Sequence, residues 1–148
     1  MTGGEGLRLF TAEEATRTLP LVSCIATDIA HENEQLKELL PELRRARSRA
    51  RNADAPGDLE SIREHVARSS ARIESYLDEL REIGCMLHEP TGVIDFRSML
   101  DGRPVCLCWR IGDERVGHWH EPGRPHLERR QLPVSVAAAS GACSDAGG

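Results

Sequence analysis

Two long apolar stripes at helical spacing, joined by a short turn, constrain this chain more than any other feature. From Leu19 the stripe positions recur in alternating steps of three and four, through Val22, Ala26, Ile29, Leu36, Leu40 and Leu43 to Ala50, with Asn33 and Arg47 as polar interruptions. The second stripe runs through Leu59, Ile62, Val66, Ser69, Ile73, Tyr76, Leu80, Ile83 and Leu87. Residues Asn52 to Gly57 read as the turn between them, and Asp58 is placed to cap the second helix. Stripes of similar length joined so briefly can cover each other only by packing antiparallel, or by packing on a partner chain. The expected fold is therefore mainly α within the α+β class, built on a long antiparallel helical hairpin. Such a hairpin leaves part of each stripe open, so a homodimer with coiled-coil-like packing is its expected completion. Asn33 is expected to fix the register of that packing, and Pro41 to kink or loosen the first helix at a cost of about 3 kcal/mol.

Ahead of the first stripe, Thr11 and Glu14 form a capping-box pattern, in which hydroxyl and carboxylate each satisfy a first-turn amide. Pro20 then interrupts, which predicts a short helix, a bend and a restart with Pro20 in the first turn. Residues 1–9 are expected to be a flexible N-terminus. Past Gly84, near the end of the second helix, the periodicity shortens. Val93 to Phe96 reads as extended and Asp101-Gly102-Arg103-Pro104 as a turn. Val105 to Ile111 and Val116 to Glu121 read as a small C-terminal β-hairpin across Gly112 to Arg115. Residues 10–132 then form a single domain, and 133–148, small, polar and glycine-rich, a disordered tail.

Composition narrows the function classes. Aromatics are only 3% of the 148 residues, so the core must rest on Leu, Ile and Val. The net charge of -5 speaks against nucleic acid as a partner. The one basic run, Arg44 to Arg51, lies where cations complement a helix C-terminus, and reads as a solvated face. No apolar run is long enough for a membrane span, and the start lacks the basic and apolar regions of a signal peptide, so a cytoplasmic address is expected. The 5 cysteines, an odd number, are then expected to be free thiols.

Several short motifs follow one another along the chain: Phe10-Thr11-x-x-Glu14-Ala15, Leu19-Pro20, Asp95-Phe96, Asp101-Gly102-Arg103, Leu107-Cys108-Trp109-Arg110 and Trp119-His120-Glu121. In these the chain, over roughly Leu7 to Leu132, resembles the uncharacterised prokaryotic family known as domain of unknown function 2203. The Cys-Trp-Arg and Trp-His-Glu segments are the most specific part of the likeness. The resemblance implies a helical hairpin with a short β-element and no established activity. Pro122 to Glu128 departs from the Gly-Phe-containing stretch usual there.

The donor side chains concentrate at the C-terminal end, in Cys106, Cys108, His118, His120, Glu121 and His126, with His88, Glu89 and Asp95 able to approach from the preceding segment. Thiolate, imidazole and carboxylate are the usual ligands of transition metals. With a two- or four-residue connection, Trp109 opposes His118 and Leu107 opposes His120, which turns the cysteines to the other face together with Glu121. Only an odd connection or a bulge brings cysteines and histidines together. The candidate metal ligands are His118, His120, Cys108, Glu121, Asp95 and His88, and the candidate ions are zinc, iron or copper. A purely structural reading has Trp109 and Trp119 pinning the hairpin to the helices, and Arg110 paired with Glu121. A metal-free enzyme would need His120 as base, oriented by Glu121 or Asp95, and Cys108 as nucleophile, and Glu121 is badly placed to orient the ring. Two functional classes follow: a transition-metal-binding protein, either metalloenzyme or accessory protein, and a non-catalytic dimeric helical interaction module. The first would take a small-molecule partner and the second another protein.

Overall fold

The computed structural model describes residues 8–51 and 56–133. Most of the expected flexible start, the middle of the interhelical turn and the tail from 134 lie outside the described residues. Thr11 caps helix α1 (Ala12–Arg17) with both halves of the capping box formed. The carbonyl of Thr18 accepts from the amides of Leu21 and Val22, so α2 (Leu19–Arg51) starts at once, with Pro20 in a first turn that needs no amide from it. Helix α2 continues through Pro41, and α3 follows as Pro56–Ile83. Asp58 therefore sits inside the first turn of α3 rather than ahead of it, where it lies 3.8 Å from Arg49.

Glu32 of α2 meets Ser69 and Arg72 of α3, while Arg49 meets Asp58, so low residue numbers of one helix face high numbers of the other. The buried face of α2 departs from a strict heptad. Ile25, Glu32 and Ala46 are buried, and Leu40 is 45% exposed. A straight helix of 3.6 residues per turn drifts away from a repeat of 3.5, and this one follows its own geometry.

The small hairpin expected after the helices is instead a five-stranded antiparallel sheet in the order β1-β2-β3-β4-β5. Its strands are β1 (Met86–Glu89), β2 (Val93–Leu100), β3 (Arg103–Arg110), β4 (His118–His120) and β5 (Arg130–Gln131). Two local causes enlarge it. Gly84, at φ 107, ends α3 early, so Leu87 continues the helical period only by coincidence and belongs to β1. Asp101 and Gly102, at φ 53 and 77, form a two-residue turn of the kind whose twist matches paired strands. β2 and β3 consequently pair without a break from Val93↔Arg110 to Leu100↔Arg103.

One face of the sheet carries Ile94, Phe96, Val105, Leu107, Trp109 and Trp119, all buried against Phe10, Val22, Ile25, Ile29 and Leu80. Phe10 meets Phe96 edge to face with centroids 5.1 Å apart. The two tryptophans thus fasten the sheet to the helices. The opposite face carries Asp95, Arg97, Cys106, Cys108, His118 and His120, because side chains alternate along each strand. The segment from Glu121 to Arg129, with a 3-10 turn at His126–Glu128, lies over that second face.

Candidate functional site

Register decides which donors meet. Cys106 opposes His120 and Cys108 opposes His118, so the thiols and imidazoles share a face. The four-residue connection expected from the sequence would have separated them. The true connection runs from Ile111 to Gly117, an odd length, and the parity reverses. Asp95 lies across from Cys108 on the other side of β3, which completes a row of Asp95, Cys108 and His118.

A bulge places the remaining histidine. Met86 pairs with Asp95, Leu87 with Ile94, and Glu89 with Val93, which leaves His88 as an extra residue. Alternation would send Glu89 to the face opposite His88, but the inserted residue puts both on the polar side. His88 Nδ1 then lies 2.7 Å from Asp95 Oδ2, and His126 Nδ1 lies 3.0 Å from Glu89 Oε2.

Asp95 is the hub. Its other oxygen, Oδ1, lies 3.0 Å from His120 Nε2, and the His88 and His120 rings stand 5.0 Å apart. Asp95 is 4% exposed and His120 1%. His120 Nδ1 is 2.8 Å from the carbonyl of Glu121, and only a protonated nitrogen can donate to a carbonyl. Nε2 of a neutral ring must then present its lone pair to the carboxylate. Two acceptors at that distance require a cation between them, either a proton or a metal ion. One donor atom from each of His88, Asp95 and His120 falls within 4.8 Å of the others. Ligands about 2.1 Å from a tetrahedral zinc ion stand roughly 3.4 Å apart, so the 2.7 and 3.0 Å contacts to Asp95 would open slightly to admit an ion.

The other candidate residues take different places. Cys108 is buried behind Asp95, and burial, with the Asp95 charge adding to it, pushes its thiol up to about 12. Burial likewise pushes Cys106 up to about 11. Both are thiols at neutral pH, which speaks against Cys108 as a free nucleophile. His118 stands further along, where burial holds its pKa below the ordinary value and Nδ1 has no partner among the described residues. Beside it, Arg129 donates to Asp113 at 2.8 Å. Burial opposes the ionisation of Asp113, but the bonds from Arg129 and the Arg110 amide outweigh it and hold that carboxyl low. Glu121 contributes its carbonyl to His120, while its exposed carboxylate lies 3.7 Å from Arg103. Arg110, the partner expected for it, instead gives its backbone amide to Asp113.

The roles of the bulge, of Glu89 and of His126 were not readable from spacing. The available signal was only that Glu89 and His126 stood among the donor side chains near the C-terminal end, His126 in a stretch that breaks the family pattern. A cavity of about 1050 Å³ opens beside the cluster, bounded by β1, β2, β3, the Leu9 segment and the Pro122–Pro125 loop.

Fold and site together define a small α+β protein with two imidazoles and one carboxylate gathered on the outer face of an antiparallel sheet. The chain belongs to the family described as an uncharacterized conserved protein, DUF2203, whose model matches residues 8–132. No curated protein and no solved structure matched it. No helix among the described residues is long and apolar enough to cross a membrane.

Proposed function

We propose that the protein binds a divalent transition metal ion through His88 Nδ1, the Asp95 carboxylate and His120 Nε2. The observation that carries this reading is the direction of His120. Its Nδ1–H is committed to the Glu121 carbonyl, the outer-shell arrangement that fixes tautomer and ring angle in metal-ligating histidines. Its Nε2 faces an oxygen of the Asp95 carboxylate at 3.0 Å. Two nitrogens and one carboxylate suit zinc with an open position, or non-haem iron(II), and copper is a further candidate. Cys106 and Cys108, on the same face, offer thiols from which a bound cation could draw a proton. A bound ion would act as a Lewis acid or redox centre toward a ligand in the adjoining cavity.

The test is metal content after reconstitution of the untagged chain with zinc or, anaerobically, iron(II). Roughly one ion per chain is expected, with loss of most of it in His120→Ala. A wild-type protein that takes up no ion would leave the proton as the bridging cation, and the reading would fall.

A second reading, a homodimeric interaction module, is favoured by the half-buried state of Leu36, Leu39, Ile62, Val66 and Ile73 along the helix pair. Sedimentation of the full chain at micromolar concentration should then show a dimer that Ile73→Asp dissociates. A monodisperse monomer would end that reading.

A further inference from the structure

We infer that the cavity beside the His88–Asp95–His120 cluster binds a small organic acid with an apolar tail. This rests on the metal reading above and names the ligand class for the same site. At about 1050 Å³, the cavity matches the upper range of small-molecule sites, roughly 300–1,000 Å³. Most of its wall is apolar, supplied by Leu9, Met86, Leu87, Val105 and the prolines of the covering loop. His88 and Asp95 in its lining are hydrogen-bonded to each other, and Cys106 lies diagonally across the sheet from Asp95, so these polar groups lie together. Such a shape takes a ligand with one polar end and a hydrocarbon body.

Charge selects an acid. Two arginines line the cavity, and they are not equivalent. Arg124 is held by two hydrogen bonds from its guanidinium to Glu128. Arg97 is exposed and makes no ion pair with any described residue. It sits on the polar face two residues from Asp95 and directly across from Cys106, within reach of the polar end of the cavity. An unneutralised guanidinium beside an apolar chamber is a fork suited to a carboxylate. Asp95 and Glu89 would repel that carboxylate in the metal-free protein. A divalent ion reverses the sign of the site, so acid binding must depend on the metal.

The probe is 4-phenylbutyrate, titrated calorimetrically into the zinc-loaded full chain, with 4-phenylbutan-1-ol as its neutral counterpart. Saturable binding of the acid is expected, weaker by about tenfold or more for the alcohol, for metal-free protein and for Arg97→Gln. Met86→Trp should fill the chamber and abolish binding while zinc content stays unchanged. If that variant loses its native circular dichroism, Leu9→Trp at the exposed rim replaces it. Zinc uptake without saturable binding of the acid overturns this inference and leaves the metal reading standing. Equal binding of the alcohol, or no effect of either Arg97→Gln or the filled chamber, overturns it as well. Failure to take up zinc removes both.

Discussion

A carboxylate with 4% exposure between two imidazoles requires counter-charge close by, and Asp95 has His88 on one oxygen and His120 on the other. Asn in its place keeps the shape but removes the charge. Asp95→Asn should lower zinc affinity by at least about tenfold in a chelator competition, with the fold retained. Unchanged affinity would exclude Asp95 as a ligand. Glu32 makes a second residue-scale case, between the helices. Hydrogen bonds from Arg72 and from Ser69 hold its carboxyl below the ordinary 4.5. The unfolded chain then binds that proton more tightly than the folded one. The stabilisation is fully present above the unfolded value and disappears as pH falls through the folded one. Glu32→Gln should therefore flatten the acid limb of a Tm-against-pH profile, and the effect should be modest because Arg72 is 45% exposed. Glu32→Ala leaves the buried Ser69 hydroxyl without its acceptor, at about 1–3 kcal/mol in chemical denaturation.

Among the elements, the β1–β2 turn has no room for a side chain at its glycine. Gly92 stands at φ 109, and a Cβ there would come within 2.2 Å of Ile111 Cδ1. Gly92→Ala should cost about 1–3 kcal/mol, measurable as a lower denaturation midpoint. If the turn tolerates alanine without loss, the packing of Ile111 against it does not constrain β1. What was legible in the sequence at this scale was whatever depends on near neighbours: the Thr11–Glu14 capping box, the restart at Pro20, the Asp101-Gly102 turn and the two long helices. What escaped depends on distant pairing. Leu87 extends a helical period numerically, and only Gly84 and the pairing with Ile94 reveal it as a strand residue. The parity that brings Cys108 beside His118 comes from a connection whose length is defined only once the strands are hydrogen-bonded. Of the candidate ligands, His88, Asp95 and His120 converge, while Glu121 offers a carbonyl in place of its carboxylate.

Across the molecule, the three donors come from β1, β2 and β4, so no segment of the chain carries the site by itself. An ion bound there prefers the folded chain to the unfolded one. At a free zinc concentration of about 100 times Kd, linkage adds about 2.7 kcal/mol of stability. Tm should rise accordingly, a chelator should return it to the metal-free value, and His120→Ala should show no rise with zinc. A Tm indifferent to zinc would argue against a site assembled by the fold.

The bulge at His88 behaves like a shift of reading frame within a strand. Before it, β1 follows the ordinary alternation; beyond it, inward and outward are exchanged. A substitution at this position and a deletion of it are thus different operations. His88→Ala removes one donor and leaves Glu89 opposite Val93. Deletion would also leave Glu89 opposite Val93, but it would straighten the strand into a regular ladder and remove the bend that the extra residue makes beside Asp95. Length, as much as identity, is what this strand encodes.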